Sequence, residues 1–327
     1  MVSCEIVKTP EVTIVIPSFN RSELLRRSLA SALGQTFTDI EVVVCDDGST
    51  DNTSQVLAGF ADRRLRVVRQ PTNRGMFVNM NAGVNAARGR YFLMLSDDDY
   101  LEPDCVAALI EPWHRHDGLG MVYGQWWYHT PQGPVLQVGD GPDLENGWDY
   151  VAGYWAGQRP TILHGALFRT DLVRAVGGIG AGVAQDSLLQ LRMAFEGKVA
   201  HVRQPVTHYV LQPGSATHRI DLSTLVNDRR LLLEKCLQYG RERGVPDAEL
   251  RTLKRQTYHK LAFKAALGII SQVGQGASRS AALHHSLRLR SLLRYNLLMG
   301  LAAVGSVLCL PRFGINLARR LRHKLTA

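Results

Sequence analysis

A run of three aspartates carries the clearest chemical signal in this sequence. Asp97, Asp98 and Asp99 are consecutive, and adjacent carboxylates repel one another unless a cation or strong hydrogen-bond donors compensate. With oxygen ligands and no neighbouring His or Cys, the ion is expected to be hard, Mg²⁺ or Mn²⁺, with positions left open for substrate phosphates. A solvated acidic turn before the helix expected at Pro103 explains the run equally well, because carboxylates favour the positive end of a helix.

A second acidic pair, Asp46 and Asp47, also follows a predicted strand. Residues 40–45 (IEVVVC) lead into this pair, and residues 91–95 (YFLML) lead into the run of three. Further strands are expected at residues 12–16 (VTIVI) and 65–69. Helices are expected at residues 22–33, from a cap at Thr50 or Asp51 to about 60, at 75–87 and at 103–116. This alternation predicts a parallel sheet covered on both faces, with ligands beyond the carboxyl ends of the strands.

The composition narrows the class of protein. The 327 residues, 45% hydrophobic and 20% charged, suit a globular chain with a sizeable core. Five scattered cysteines without a CxxC pair argue against a disulfide framework or a thiolate metal site and favour the cytoplasm. The first residues lack the basic start and apolar run of a secretory signal, so export is not expected. No GxGxxG follows the first strand and no GxxxxGK[ST] occurs, which disfavours a dehydrogenase or a phosphate-loop nucleotide hydrolase.

The C-terminal third is strongly basic. From residue 227 onward there are 19 Lys and Arg against 5 Asp and Glu, and residues 250–327 contain no carboxylate. Such one-sided charge predicts an anionic partner. Residues 296–310 (NLLMGLAAVGSVLCL) are too few to span a bilayer as a perpendicular helix, and arginines flank them on both sides. We expect a helix lying on an anionic membrane surface. A core helix with a solvated basic tail is the alternative, and nucleic acid is disfavoured because no base-stacking motif is present.

Several motifs occur in an order that resembles a known family. They run from VTIVIPSFNR (residues 12–21) through IEVVVCDDGSTDNT (40–53) and NAGVNAARGRYFLMLSDDDYLEPD (81–104). They continue through HGALFRTDLVRAVGG (164–178), a Gln-Asp pair at 185–186 and YVLQPGS (209–215). Over residues 12–217 the chain is similar to the family 2 inverting glycosyltransferases of the GT-A fold. The basic C-terminal third lies outside the resemblance.

The resemblance implies roles for individual residues. Asp186 matches the general base, in a slot usually written Glu-Asp, and Asp98 matches the aspartate that binds the metal, with Asp99 as a possible helper. The usual DxDD pattern has an aspartate where Ser96 stands, and a histidine common after Tyr209 is replaced by Gln212, with His208 and His218 nearby. The nucleotide would be bound by residues from three loops. These are Pro17, Phe19 and Asn20, with Asp47 at the imide edge of uracil and Asp97 near the ribose.

The candidate acceptor-binding residues are inferred from the chemistry of their side chains alone. Trp126 and Trp127 lie in an aromatic segment whose flat faces suit sugar rings, although core packing or a lid explains them as well. His164 and Arg169 are candidates to meet the acceptor or the diphosphate, and a core histidine is an equal alternative for His164.

The sequence as a whole predicts an α/β fold with a mostly parallel sheet of Rossmann-like GT-A type and a helical basic extension. The expected domains are residues 1–222, the glycosyltransferase domain, and 223–327, associated with the inner face of a bacterial membrane. The expected reaction moves a sugar from a UDP-sugar to a saccharide or lipid-linked acceptor in surface polysaccharide synthesis. A metal-dependent nucleotidyl or phosphoryl transferase and a non-catalytic membrane scaffold are the alternatives.

Overall fold

A computed structural model describes residues 9–180, 184–212 and 222–274. The chain divides into two compact units, Met1–Ser215 and Ala216–Ala327. The division falls a few residues before the domain boundary expected at residue 222. The predicted membrane segment at residues 296–310 and His218 lie outside the described residues.

Within the residues that the structure describes, the first unit is an α/β structure built on a ten-stranded sheet. Its strands are β1 Val12–Ser18, β2 Ile40–Asp46, β3 Leu65–Arg69, β4 Tyr91–Met94, β5 Tyr100–Leu101, β6 Leu119–Thr130, β7 Gly133–Gln137, β8 Leu144–Asn146, β9 Ala166–Arg169 and β10 Lys198–Val210. Its helices are α1 Ser22–Leu33, α2 Thr53–Ala58, α3 Met76–Ala86, α4 Cys105–Arg115, α5 Gly147–Ala156, α6 Thr170–Ala175 and α7 Gln185–Phe195. A 3-10 turn at Leu163–Gly165 precedes β9.

The sheet is parallel in its first half and mixed in its second. The order is β3-β2-β1-β4-β9-β6-β10-β5, with β7 beside β6 and β8 beside β10. Strands β1 to β4 run parallel, whereas β9 is antiparallel to both of its neighbours and β6 is again parallel to β10. This arrangement confirms the predicted mostly parallel α/β fold.

The β-branched runs of β1 and β2 form the centre of the core because both faces of the sheet are covered there. Every residue of β2 is buried, and Val12 to Ile16 of β1 are fully buried. Burying one such side chain contributes about 1.5–3 kcal/mol. Helix α1 packs on this layer through Leu25, Leu29 and Ala32, spaced three or four residues apart, and ends at Gly34 as predicted.

The start of α2 differs slightly from the prediction. Asn52 occupies the N-cap position, while the carboxylate of Asp51 accepts the N–H of Thr53 at 3.0 Å and the N–H of Ser22 at 3.0 Å. Asp51 therefore holds the first turns of two helices, α1 and α2.

The second unit contains two long helices in its described part, α8 Leu222–Glu242 and α9 Asp247–Gly274. They pack through buried residues such as Cys236, Leu237 and Leu250. Glu234 of α8 accepts hydrogen bonds from Lys254 and Tyr258 of α9. Among the described helices of the chain, none combines the length and apolar character needed to cross a membrane.

Candidate active site

The carboxyl ends of β1, β2 and β4 meet at one edge of the sheet because these strands are parallel neighbours. Ser18 ends β1 opposite Asp46, and its Oγ donates to Oδ2 of Asp97 at 2.7 Å. The backbone carbonyl of Ser18 accepts the N–H of Asp47 at 3.0 Å. Ser18 thus joins the two acidic clusters.

Asp47 is held as an oriented acceptor. Its side chain is buried, and its two carboxylate oxygens accept the N–H groups of Arg74 and Gly75, each at 2.9 Å. The turn after Asp47 depends on Gly48, whose φ is +74° and whose added Cβ would lie 2.9 Å from the backbone of Thr72. Each carboxylate oxygen has a second lone pair, so Asp47 retains the capacity to accept a ligand N–H.

The loop after β1 is fixed to the loop after β2 through Asn20. This residue has φ +53°, a left-handed conformation that asparagine tolerates better than most residues. Its N–H donates to Ser49 Oγ at 2.9 Å, and its side-chain oxygen accepts the N–H of Thr50 at 2.8 Å. Phe19 is 38% exposed beside it, and Pro17 is half-buried within β1. An exposed aromatic ring at a sheet edge offers a stacking face.

Two arginines of the first loop and helix face the acidic run. Arg21 Nη1 lies 3.0 Å from Oδ1 of Asp97 and 2.9 Å from Oδ2 of Asp98. Arg27 donates through Nη2 to the backbone carbonyl of Asp98 at 2.7 Å, and its guanidinium lies over the ring of Tyr100. Burial raises the pKa of Asp97, while the bonds from Ser18 and Arg21 act in the opposite direction.

Asp99 points away from the other two carboxylates and is buried. Its Oδ1 accepts the N–H of Val210 at 2.9 Å, and its Oδ2, which has no hydrogen-bond partner, lies 3.6 Å from Nδ1 of His164. Burial raises the pKa of Asp99 well above its usual value, and burial lowers the pKa of His164 to about 4. The imidazole is therefore neutral at physiological pH, and it stacks on Tyr209 with ring centroids 5.2 Å apart.

Beyond Asp99 the chain reaches a network of polar side chains. His208 lies 2.9 Å from Glu102 Oε1 through Nε2 and 2.9 Å from His129 Nε2 through Nδ1. Burial lowers the pKa of His208, with Glu102 acting against this shift. A neutral His208 that donates to the carboxylate must accept from His129. His208 also stacks on Tyr100 at 4.0 Å, and Trp127 donates to Glu102 at 3.2 Å.

Both predicted acceptor tryptophans lie on β6 near this network. Trp126 pairs with Thr207 of β10, and Trp127 pairs with His208. Both are half-buried. Because β5 pairs with the same stretch of β10 directly after Asp99, the two rings belong to the edge that carries the acidic run.

Asp186 is the second residue of α7 and is exposed. Gln185 before it is buried, and Ala184 adopts a left-handed φ of +60°. The first turn of α7 is anchored by a 2.8 Å bond between Ser187 Oγ and Thr161 Oγ1, three residues before His164. Since His164 contacts Asp99, this chain of contacts links the turn that carries Asp186 to the acidic run.

A second link connects α7 to the nucleotide side. Asn81 of α3 accepts the N–H of Ile179 at 2.9 Å and donates to the carbonyl of Ile179 at 2.7 Å. Ile179 leads towards α7, while the start of α3 at Gly75 holds Asp47. One helix therefore contacts both the Asp47 loop and Ile179.

Comparison with known proteins shows which family part of the chain resembles. Residues 13–151 match the model of glycosyl transferase family 2. The chain therefore contains a region similar to the family 2 glycosyltransferases. It is 38% identical over 134 residues to a hyaluronan synthase of Pasteurella multocida, a match that covers 40% of this chain and 14% of the synthase. The chain thus spans only a small part of that relative's length.

Two solved structures with similar folds contain a bound nucleotide sugar. Residues 1–349 of Staphylococcus aureus TarS in complex with UDP-GlcNAc have a TM-score of 0.61 and 16% identity, with 90% of this chain and 91% of that chain covered. The mannosyltransferase PcManGT of Pyrobaculum calidifontis, in complex with GDP-Man and Mn²⁺, has a TM-score of 0.54 and 20% identity, covering 93% and 88%. At these identities the likeness establishes the GT-A fold of the chain.

GT-A enzymes typically use a divalent metal, and the donor set of this chain fits one. A guanidinium already bridges Asp97 and Asp98, which shows that the two carboxylates converge on one cationic position. Within the described residues no group of three or more His, Cys, Asp or Glu forms a complete protein cage. Mg²⁺ is commonly held by one or two carboxylates together with substrate phosphates, so two converging carboxylates suffice.

The prediction for Arg169 is corrected by the structure. Arg169 pairs with Tyr91, the first residue of β4, whereas the acidic run follows the last residue of that strand. The strand places about 10 Å between its ends, and the loop adds more. Arg169 forms an ion pair with Asp171 there, so it belongs to the end of the sheet opposite the site. Because β9 is antiparallel, only its beginning lies near Asp99.

Several contacts of the site were not predicted. The sequence predicted no role for Arg21, for the backbone amides that hold Asp47 or for the clamp made by Asn81. It left the role of His164 open, and in the structure this side chain is only 13% exposed and lies against Asp99. Arg21 is the last residue of the motif at residues 12–21. A basic residue shortly after the first strand, near three carboxylates that follow a parallel strand, was the available signal for an ion pair.

Proposed function

We propose that this protein is a glycosyltransferase and moves a sugar from a UDP-sugar to a hydroxyl group of a saccharide or lipid-linked acceptor, with inversion at the anomeric carbon. The observation that carries the proposal is the hydrogen-bonded edge at Ser18, where the loop of Asp47 meets Asp97 and Asp98. It supports a nucleotide on one side of Ser18 and a diphosphate on the other.

The base of the donor would be recognised by Asp47. Uracil presents an N–H at its ring N3, and a carboxylate that is already oriented by two amides can accept it without reorganising. Phe19, exposed beside this position, would stack on the base, with Asn20 and Pro17 shaping the loop. Asp97 would lie near the ribose.

The proton of the acceptor hydroxyl would be taken by Asp186. Its carboxylate is exposed at the first turn of α7, and Gln185 beside it cannot titrate. As the new C–O bond forms, the bond from the anomeric carbon to the β-phosphate oxygen breaks and the nucleoside diphosphate leaves. Such general bases contribute about 10²- to 10⁴-fold in rate.

The departing diphosphate needs positive charge beside it. A bound Mg²⁺ or Mn²⁺ would stabilise the negative charge that develops on the leaving phosphate. Asp98 would hold this ion, with Asp97 beside it. Asp99 would act indirectly, because both of its oxygens face Val210 and His164.

Surface polysaccharide synthesis is the process that we propose for this reaction. The similarity to a hyaluronan synthase supports a saccharide acceptor. Trp126 and Trp127, half-buried on the same edge, offer aromatic faces on which a sugar ring can pack.

The test is a screen of nucleotide sugars with the full chain. Release of a nucleoside diphosphate that depends on Mn²⁺ or Mg²⁺ and stops with EDTA is expected, with UDP-sugars as the best donors. Asp98→Asn and Asp186→Asn should each lower turnover at least about 100-fold. Asp171→Asn, a carboxylate at the opposite end of the sheet, is the control and should retain activity. Release of pyrophosphate or a nucleoside monophosphate would instead indicate a nucleotidyl or phosphoryl transferase.

We also propose that the basic C-terminal region holds the enzyme at the cytoplasmic face of an anionic membrane. Its 14 Lys and Arg without a carboxylate over residues 250–327 support this location. The full chain should sediment with vesicles containing anionic lipid at low salt, and removal of residues 292–327 should weaken this. Equal sedimentation of both forms would contradict the proposal.

A further inference from the structure

Arg21 occupies the position between Asp97 and Asp98 where the proposed metal would bind. A single guanidinium nitrogen, Nη1, lies 3.0 Å from one carboxylate and 2.9 Å from the other. A guanidinium stays protonated in proteins, so the side chain acts as a permanent cation at this place.

A metal ion placed between the two carboxylates would use the oxygens that face Arg21. Asp97 uses its other oxygen to accept the bond from Ser18, and Asp99 is turned away towards Val210. A cation at Asp97 Oδ1 and Asp98 Oδ2 would therefore share the same two atoms with the guanidinium. Like charges at such short distances repel, so the two cations exclude each other.

Arg21 is free to leave this position without disturbing the fold. Its side chain is 43% exposed, against 7% and 18% for the two carboxylates. Its backbone carbonyl accepts the N–H of Leu25 at 2.9 Å, which fixes the main chain at the start of α1. The side chain keeps several rotatable bonds and can adopt other rotamers. Arg27 stays in place, because it binds the backbone carbonyl of Asp98 and not a carboxylate.

We propose that Arg21 is an internal counter-ion that competes with the divalent metal for Asp97 and Asp98. In the metal-free enzyme the guanidinium relieves the repulsion between the carboxylates, and metal binding requires its displacement. Arg21 thereby weakens the affinity of the free enzyme for metal. This inference rests on the proposed function, since it assumes that the same pair of carboxylates holds the ion.

The test measures metal binding without donor or catalysis. The concentration of free Mn²⁺ is followed by electron paramagnetic resonance during titration of the full chain and of Arg21→Gln. Loss of the two ion pairs, whose guanidinium remains partly in solvent, should tighten Mn²⁺ binding about 2- to 30-fold. Arg21→Lys, which keeps the charge but loses the planar fork, should give an intermediate affinity.

A matched control separates this effect from a change in overall charge. Arg26 lies on the same helix, is 57% exposed and pairs only loosely with Glu23, at 4.0 Å. Arg26→Gln should therefore bind Mn²⁺ like the unaltered protein, and Asp98→Asn should abolish binding. Thermal unfolding supplies a second measurement, because Mn²⁺ should raise the midpoint of Arg21→Gln more than that of the unaltered protein.

The possible failures can be told apart. If diphosphate release depends on metal but Arg21→Gln binds Mn²⁺ no more tightly than the unaltered protein, the competition is refuted and the proposed function stands. If release is undiminished by EDTA and Arg21→Gln abolishes it, Arg21 itself replaces the metal. That result overturns both the competition and the metal-dependent part of the proposed function.

Discussion

Replacing Asp47 by asparagine tests how the donor base is recognised. Both carboxylate oxygens of Asp47 accept a backbone N–H, from Arg74 and Gly75, at 2.9 Å. An asparagine has one acceptor oxygen, so its NH₂ group would face the other backbone N–H as a second donor. The substitution also removes the negative charge of Asp47, which favours an imide N–H in the ligand.

The expected effects follow from these bonds. Hydrogen bonds to a charged group contribute about 1.5–3 kcal/mol each, and Asp47 is almost fully buried. We therefore expect Asp47→Asn to lower the free energy of unfolding by about 2–4 kcal/mol, including the cost of the unpaired amide. Loss of the bond to uracil should weaken UDP binding roughly 10- to 150-fold.

The base specificity provides the sharper readout. Cytosine presents a lone pair at ring N3 where uracil presents an N–H, so the carboxylate repels CDP and an amide can donate to it. Calorimetric titration should show a UDP-to-CDP affinity ratio that falls in Asp47→Asn, with Asp171→Asn unchanged. An unaltered ratio in a variant that folds, as judged by urea denaturation, would refute the assignment of Asp47 to the base edge.

Three further perturbations address the elements around the site. Burial lowers the pKa of His164 to about 4, against 6.5 in the unfolded chain. As the pH falls from 6.5 to 4, the unfolded state therefore takes up this proton and the folded state does not, which destabilises the fold. His164→Gln should remove about 3 kcal/mol of this acid destabilisation, measured by urea unfolding at pH 4 and 7. Gly48→Ala should cost about 2 kcal/mol or more, because an added Cβ meets the backbone of Thr72 at a φ of +74°; an unchanged thermal midpoint would contradict this. Asn81→Ala leaves both backbone groups of Ile179 unpaired and should cost about 1–3 kcal/mol, with kcat falling more than UDP affinity.

The first half of the fold could be predicted because its signals are local. The β-branched runs at the start of β1 and β2 and the apolar spacing of α1 each determine one element without reference to the rest. Glycine at the end of α1 and acidic residues after the strands then locate the boundaries. The family resemblance of the motifs predicted a GT-A fold, and the observed sheet confirms this fold.

The second half depends on contacts between distant residues, so the sequence said less about it. Strand β6 carries a run of aromatic residues that reads equally well as core or acceptor wall, and β10 pairs with it through several register shifts. The direction of β9 cannot be inferred from its four residues. Because it is antiparallel, Arg169 lies at the far end of the sheet and His164 at the near end.

The three consecutive aspartates show why a cluster of like charges does not define one site. Asp97 is stabilised by Ser18 and Arg21, and Asp98 shares that guanidinium while keeping some exposure. Asp99 instead enters the interior, where burial raises its pKa well above the usual value. Successive residues face different directions, so repulsion is relieved separately at each carboxylate. The first two share one guanidinium as their cationic partner, and the third ties the acidic run to the end of β10 through Val210.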